Sequence, residues 1–572
     1  VISNVARDDY AGSSACASCH PDISAAWKRS PMHRMTRDAN AAGGDVRASF
    51  DGTRWRFRQR DEVVLQRSGG DRFVRVQTAG GQAKTYRVTR IIGGRTREDF
   101  AGTDVEDPAG GELVLPVSFV FATRALRYKG YSVMVHERAS LRAGPSWSKT
   151  CLFCHNTVPE VDRLLGALGG AGSQPYQGET VDRWLPLDRR ANVRVSDERG
   201  FARVLNLELA RLGSPAVSGG ARAIARAAIE SVRTGFDGAA LVEVGIGCEA
   251  CHGGAREHAG DPSRRTSRVP TAPWLESTRM AATSAQAINH ACARCHQVLF
   301  SRYPFTWEGG RRDANAGGSH INSGEGRDFL LGACAKAMSC TSCHDPHAGS
   351  DRQKLQALAT PSGNATCTVC HGALSDSARL RAHAHHDPAG AGGSCIACHM
   401  PRKNMGLDGT LTRYHRIGSP TDPARVLGDR PLECALCHAD KSVAALVASM
   451  EAWWRVRFPR PRLEELYGSL DANVMRATLE RGKPHERVVA MAVLGEARDR
   501  SSAALVGREL LGEYPLAREW ARRALVSILG RCDVDLSGAD EAIAREAQAC
   551  VGGPLAPLQS TPGQPLDEEP ED

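Results

Sequence analysis

The sequence is poor in the residues from which ordinary hydrophobic cores are built. Hydrophobic residues make up 41% of the 572-residue chain and aromatic residues only 5%, whereas 58 residues are glycine. A chain of this length normally forms several domains, each with a core of its own. The shortage therefore predicts that something other than side chains supplies part of the apolar filling.

The sequence also lacks any apolar run of about 18 residues, the length that a membrane-spanning helix needs, so we expect no transmembrane segment of its own. No signal peptide is recognisable in the first residues, VISNVARDDY, which read as a processed N-terminus. The first residue is valine, so the usual lipid-bearing N-terminal cysteine is absent too. These features predict a soluble protein or a subunit that other proteins hold in place.

Cysteine, in contrast, is plentiful, and most of it lies in one repeated pentapeptide. Sixteen of the 19 cysteines belong to eight copies of Cys-x-x-Cys-His, which is the attachment motif of c-type haem. Residues three and four apart share one face of a helix, so both thiols can bond one porphyrin edge while the histidine meets the iron. The copies predict eight covalently bound haem c groups, attached to Cys16, Cys19, Cys151, Cys154, Cys248, Cys251, Cys292, Cys295, Cys340, Cys343, Cys367, Cys370, Cys395, Cys398, Cys434 and Cys437. Their proximal iron ligands are then His20, His155, His252, His296, His344, His371, His399 and His438.

Eight porphyrins would account for the thin supply of apolar side chains. The net charge of +8 omits the two propionates that each haem brings, so we do not expect a nucleic-acid partner. Covalent haem attachment takes place outside the bacterial cytoplasm, which predicts the periplasm or the extracellular surface. In that oxidising setting Cys532 and Cys550 either form a disulfide or remain two small buried residues, and Cys334 is expected to be structural.

The patterns between the motifs predict a fold that is mainly α, with little regular structure around stacked haems, a small antiparallel β side domain and a C-terminal α-helical repeat. Alternation with period two indicates the sheet, and amphipathic stretches indicate the helices. ERVVAMAVLG (486–495) and EWARRALVSILG (519–530) repeat at about 34 residues, as HEAT-like helical pairs do. The predicted segments are 1–45 (first haem), 46–135 (antiparallel β domain), 136–156 (second haem), 157–244 (helical insertion), 245–440 (six-haem core), 441–552 (HEAT-like domain) and 553–572 (Pro-rich acidic tail).

Eleven histidines lie outside the motifs and are available as distal ligands, because imidazole is a standard ligand of iron. The candidates are His33, His136, His258, His290, His320, His347, His383, His385, His386 and His415; His485 lies inside a predicted C-terminal helix and is left out. Six of these positions within 248–438, counting one of the three in HAHH (383–386), would close the six irons there and leave His33 and His136 for the two upstream haems. Two residues of HAHH can ligate instead, or one can transfer protons near an open iron. Methionine, the competing ligand, is expected to pack.

Several stretches resemble known multihaem proteins. YAGSSACASCH and AAWKRSPMH resemble the opening of the cytochrome c-554-like family, which is related to hydroxylamine oxidoreductase and the multihaem nitrite reductases. GCEACHGGAREH, CTSCHDPH, HAHHDPAGAGGSCIACHMP and CALCHADKS resemble secreted bacterial multihaem cytochromes with C-terminal helical repeats. The resemblance covers roughly 10–40, 90–155 and 245–540, and the insertion at 157–244 departs from it. It implies distal ligands at His33, His258, His347 and His415.

Three functions remain open, of which electron transfer is favoured. Bis-His haems exchange electrons but bind no substrate, and the expected partners are cytochromes and quinol-oxidising or terminal reductase complexes. The alternative is an oxidoreductase acting on nitrite, hydroxylamine or a sulfur oxyanion at one open haem, to which a distal Lys336 or Lys403 would point. All eight motifs end in histidine, and no catalytic residue is assigned. The third is a subunit of a larger respiratory complex or cytochrome filament.

Overall fold

The chain combines one antiparallel sheet, a region of short helices that carries the haem motifs, and a set of longer C-terminal helices. The computed structural model describes residues 3–41, 46–129, 140–162, 164, 193–235, 238–277, 284–296, 324–348, 352–406, 408–512 and 515–558. The distal candidates His136 and His320 and the acidic tail from 559 lie outside the described residues. Within the described residues, no helix is both long enough and apolar enough to cross a membrane.

The sheet confirms the predicted antiparallel β region. Its strands follow one another as a meander in the order β2-β3-β4-β5-β6-β7-β8, and β1 pairs with β5. One face is filled by aliphatic and aromatic side chains, among which the Phe57 and Tyr128 rings lie parallel at 4.9 Å. The strands are β1 Thr36–Asp38, β2 Asp51–Phe57, β3 Asp61–Ser68, β4 Asp71–Gln77, β5 Lys84–Ile92, β6 Arg97–Asp104, β7 Leu113–Val120 and β8 Ala125–Tyr128.

Strand β6 was not predicted, because its sequence, REDFAGTD, does not alternate between polar and apolar residues. Two of its carboxylates are buried all the same, each with charged or hydrogen-bonding partners. Glu98 is ion-paired with Arg37 at 3.0 Å, and Asp99 accepts from Lys129 Nζ at 2.9 Å and from Ser118 Oγ at 2.5 Å. A buried charge is tolerated when it is paired. Arg97 of the same strand lies 3.3 Å from Asp99, and the other partners come from outside the strand.

Two of the helices predicted for the insertion are present, at Glu198–Arg211 and Ala221–Gly235. The expected helix at VDRLLGALGG lies mostly outside the described residues. One strand of the insertion, β9 (Val193–Val195), pairs antiparallel with β10 (Leu275–Ser277), which lies in the predicted six-haem segment. The insertion also shares one apolar cluster with residues beside the first two haem motifs, so it does not have a separate core.

The haem-motif region has short helices and little sheet, in line with the expectation. The α-helices outside the insertion are Pro21–Lys28, Trp147–Thr150, Leu152–His155, Glu249–His252, Arg256–Gly260, Ser284–Ala293, Glu325–Leu331, Arg352–Leu358, Ala365–Thr368, Ser377–Ala384, Cys395–His399 and Pro423–Gly428. Short 3-10 helices occupy Arg7–Asp9, Ser13–Cys16, His33–Met35, Pro108–Gly110, Gly238–Ala240, Ala333–Lys336, Cys340–Ser342, Pro361–Asn364, Gly372–Ser375, Ala391–Gly393 and Glu433–Leu436. A two-stranded ladder, β11 (Arg402–Met405) with β12 (Leu411–Arg413), follows the seventh motif.

The C-terminal region is helical and holds the largest apolar cluster. Its α-helices are Val443–Trp454, Arg460–Tyr467, Val474–Arg481, Pro484–Glu496, Ala503–Arg508, Pro515–Leu529 and Asp540–Val551, with 3-10 turns at Arg500–Ser502 and Glu509–Leu511. Cys532 and Cys550 form a disulfide with a Cα–Cα distance of 5.6 Å, which decides between the two alternatives for this pair. The helices pack in succession along the chain; the HEAT-like assignment stays a prediction.

Candidate haem centres

Each haem motif folds as one helical turn. In seven of the eight, the backbone N–H of the histidine donates to the carbonyl of the first cysteine at 2.9–3.1 Å. The remaining motif is the helix Cys395–His399 itself. This turn brings the two thiols and the imidazole to one side of the backbone, as the spacing predicts. The local geometry that covalent haem attachment needs is therefore present in all eight motifs.

Five of the motif histidines face a second histidine from elsewhere in the chain. The ring centroids are separated by 6.0–6.3 Å, and the planes are inclined by 10–38°. In every pair one member is a predicted proximal ligand and the other a predicted distal candidate. The pairs are His20 with His258, His252 with His347, His344 with His415, His399 with His383, and His438 with His386.

The separation fits a metal ion between the two rings. An ion bonded to one nitrogen of each of two opposed imidazoles holds the ring centroids roughly 6.3 Å apart, because each metal–nitrogen bond is about 2.0 Å long. An open cavity of about 720 Å³, lined by His385, His386 and Arg381 among others, lies beside one of the pairs. That volume is in the range of cofactor pockets. The residues present therefore fit haem iron with two axial imidazoles.

The structure places the other candidates as follows. Of the four residues implied by the resemblance, His258, His347 and His415 each face a motif histidine, whereas the His33 ring contacts Trp27 at 4.1 Å. His258 faces His20 of the first motif, for which the sequence count had left His33 or His136. His290 lies in the helix Ser284–Ala293, two residues before Cys292.

Two histidines of HAHH (383–386) face motif histidines, not one as in the initial count. The chain passes through a left-handed residue at His385 (φ 55°), so that His383 and His386 point to different motifs. The His385 ring stacks on Trp453 at a centroid distance of 5.0 Å. This segment therefore supplies imidazoles to the seventh and eighth motifs, while His385 anchors it to the C-terminal helices.

The remaining motif histidines are His155, His296 and His371. Burial lowers the pKa of His155. His296 Nδ1 lies 3.8 Å from a Glu325 carboxylate oxygen, which raises the pKa of this imidazole to about 9. The His371 side chain is exposed.

The motifs also contact one another through their first cysteines. The thiols of Cys16 and Cys248, of Cys292 and Cys340, and of Cys367 and Cys395 are neighbours. The neighbouring thiol lowers the pKa of the Cys248 and Cys395 thiols to about 7. These thiols stand for the thioether sulfurs of the haem-loaded protein. Their contact therefore shows which motifs lie side by side.

Sequence reasoning missed a buried group of charges beside the eighth motif. Lys403, Asp429 and Glu433 are each at most 5% exposed, and Lys403 Nζ is ion-paired with both carboxylates, at 3.4 Å in the case of Glu433. Lys403 is thus held by two acids and is not placed as a distal ligand. Nothing in the local sequence marks these residues, which come together from three separate elements.

His485 is buried beside the same group, in the helix Pro484–Glu496, and its two ring nitrogens have no hydrogen-bond partner. Ligand atoms of Asp429, His485 and Glu486 lie within 4.8 Å of one another. Glu486 is already ion-paired with Arg430 at 3.0 Å. Lys403 and Arg430 thus neutralise Asp429 and Glu486, and His485 lies inside a C-terminal helix as the sequence predicts.

Comparison with known proteins identifies two of the Cys-x-x-Cys-His motifs. The family described as "Doubled CXXCH motif" matches residues 333–376, which contain the motifs that begin at Cys340 and Cys367. This match supports covalently bound haem c as the cofactor. No curated protein matches the chain. The crystal structure of the outer cell wall cytochrome OcwA is similar at a TM-score of 0.40 and 14% identity, over 91% of this chain and 100% of that one.

Proposed function

We propose that the chain is an extracytoplasmic electron-transfer protein, an octahaem c-type cytochrome that relays electrons between redox partners through mostly bis-His haems. The five imidazole pairs support this proposal, because two axial imidazoles leave no open position on an iron. When bound, haem supplies a one-electron couple whose potential depends on axial ligands, burial and nearby charge. The protein's own part is to hold, orient and space these groups.

The observation that carries the proposal is that histidines beside one motif complete another. His258 lies six residues after His252 and faces His20, and His347 lies three residues after His344 and faces His252. His415, which follows His399, faces His344. Each of these histidine pairs connects two motifs, so the first, third, fifth and seventh motifs form a series.

The other motifs join this series through backbone and side-chain contacts. Cys154 Sγ lies 3.9 Å from the Arg294 carbonyl, which places the second motif against the fourth. The fourth contacts the fifth, and the sixth contacts the seventh, through hydrogen bonds to a first cysteine. The segment 383–386 joins the seventh motif to the eighth, because His383 faces His399 and His386 faces His438. All eight motifs thus form one connected network, as a relay requires.

An extracytoplasmic site is part of the proposal. Covalent haem attachment takes place there, and the Cys532–Cys550 disulfide is typical of oxidising compartments. The expected partners are redox proteins, such as cytochromes and quinol-oxidising or terminal reductase complexes. A role as a subunit of a larger assembly or filament is compatible with the same network.

The alternative function is an oxidoreductase that acts on nitrite, hydroxylamine or a sulfur oxyanion at one open haem. The imidazole pairs restrict where such a haem can be. An open iron would belong to the motif of His155, His296 or His371, because the other five motif histidines have an opposed imidazole.

The spin state of the isolated ferric protein tests the proposal against the alternative. Electron paramagnetic resonance should show low-spin iron only, and a reductive titration should take up eight electrons per chain, one for each motif. A high-spin haem together with turnover of nitrite or hydroxylamine would refute the relay and support the oxidoreductase.

A further inference from the structure

Each of the three pairs of contacting motifs contains an equivalent hydrogen bond. In each pair a polar residue three positions before the first cysteine of one motif accepts from the backbone N–H of the first cysteine of the other. The distance is 2.9 Å in all three cases. The acceptors and donors are Ser13 and Cys248, Asn289 and Cys340, and Asn364 and Cys395, which are 235, 51 and 31 residues apart in sequence.

The two asparagines make a second bond that is also equivalent. Asn289 Nδ2 donates to the Met338 carbonyl at 3.0 Å, and Asn364 Nδ2 donates to the Gly393 carbonyl at 2.8 Å. Each carbonyl lies two residues before the first cysteine of the partner motif. One side chain therefore holds both ends of the tripeptide that leads into that motif.

The first pair divides the same two bonds between two residues. Ser13 Oγ accepts from Cys248 N–H, and Trp27 Nε1 donates to the Ile246 carbonyl at 3.0 Å. Ile246 is again two residues before the cysteine of the partner motif. Ser13 Oγ in turn donates to a Glu243 carboxylate oxygen, which fixes the orientation of its hydroxyl.

The partner motifs carry small residues at the matching position. Gly245, Ala337 and Gly392 stand three positions before Cys248, Cys340 and Cys395. A side chain at Gly392 would meet the His386 ring at 2.4 Å, and one at Gly245 would meet the His33 carbonyl at 2.6 Å. In two of the pairs the polar residue is thus combined with a position where space is tight, and in the third with an alanine.

We propose that Ser13, Asn289 and Asn364 are positioning residues that dock haem motifs in pairs and so decide which haems lie in direct contact. The proposal rests on the haem-relay function proposed above. It predicts that the side chain, through the partner backbone, sets the mutual orientation of two haems without touching either iron. Ser148 holds the same position in the second motif, but its hydroxyl bonds Ser146 Oγ at 3.1 Å.

The test compares Asn364→Ala with Asn206→Ala in the full haem-loaded chain. Asn206 is a matched control, because its amide likewise bridges a backbone N–H and carbonyl, both of Val217, at 2.8 and 3.0 Å, within the helical insertion. The readout is circular dichroism in the Soret band, in which two contacting haems give a bisignate signal that depends on their mutual orientation. Mass spectrometry gives the haem content of each variant.

Asn364→Ala should retain its haems but lose the part of the bisignate signal that comes from the pair of the sixth and seventh motifs. Asn206→Ala should give the wild-type signal. Unchanged dichroism in Asn364→Ala would overturn the proposal. If that variant loses haem, Asn289→Ala decides, because Asn289 makes the same two bonds in the pair of Cys292 and Cys340: a reduced bisignate signal at full haem content supports the docking role, and an unchanged signal refutes it.

These outcomes are separate from those of the relay itself. A high-spin, substrate-converting wild type would contradict the relay whatever the asparagine variants do. Asparagine variants with wild-type dichroism, in a protein whose irons are all low-spin, would contradict only the docking role.

Discussion

Replacing Lys403 by methionine should strongly destabilise the C-terminal part of the protein. Lys403 is 1% exposed and is ion-paired with Asp429 and Glu433, which are 1% and 5% exposed. Without the ammonium group, two buried carboxylates face one guanidinium, that of Arg425, which lies 3.2 Å from Glu433. Removing one partner of a buried ion pair costs about 3–5 kcal/mol, because the charge left behind is uncompensated.

The loss should depend on pH in a definite direction. Burial already raises the pKa of Asp429 to about 7, whereas an unfolded aspartate titrates near 3.9. A carboxyl group whose pKa is raised in the folded state binds its proton more tightly there than in the unfolded chain. The free energy of unfolding is therefore greatest below about pH 4 and declines as the pH rises to about 7. Lys403→Met should therefore be least destabilised in acid, where Asp429 is protonated.

Urea unfolding followed by far-ultraviolet circular dichroism at pH 5 and pH 8 measures both effects. Lys441→Met is the matched control, since Lys441 is 49% exposed and its partner Asp440 is 71% exposed. Exposed ion pairs contribute little, so this variant should unfold like the wild type. The reasoning fails if Lys403→Met is no less stable than Lys441→Met at pH 8.

Three further variants test other parts of the structure. His258→Ala removes the imidazole opposite His20, so the ferric protein should gain one high-spin haem by electron paramagnetic resonance; an unchanged spectrum would contradict the pairing. Cys532→Ser opens a disulfide whose cysteines are 18 residues apart, and a loop of that size predicts a loss of about 3 kcal/mol in urea unfolding, which reductant should reproduce in the wild type. His385→Ala removes a ring that stacks on a tryptophan, so it should leave all irons low-spin, and a new high-spin signal would show that this ring is a ligand.

The sequence predicted those features that depend on near neighbours. The spacing of Cys-x-x-Cys-His is a property of five residues, and the helical turn seen in the motifs follows from it. The strands with alternating residues, such as Glu62–Ser68 in the sequence and β3 in the structure, were found for the same reason. The disulfide was recognised as one of two alternatives because the compartment was inferred first.

The partners of the histidines could not be predicted, because they depend on contacts between distant residues. Proximity suggested only that a histidine beside one motif serves another, and the choice of His20 for His258 needed coordinates. Strand β6 was missed because its buried Glu98 and Asp99 are neutralised by cations from elsewhere. A signal for the docking residues did exist in the sequence: serine or asparagine stands three positions before the first cysteine of four motifs, including the second, whose Ser148 bonds Ser146, and glycine or alanine stands there in the three partner motifs.

The contacts between first cysteines bear on the order in which the protein matures. Cys16 and Cys248 become neighbours only after the chain has folded across the residues that separate them. In an oxidising compartment, two free thiols held so close can be joined by exchange with another disulfide. An apoprotein that folded before its haems were attached would thus be able to seal its own attachment sites at three places. In the proposed octahaem protein, attaching the haems before these pairs of motifs fold together would keep all three sites open.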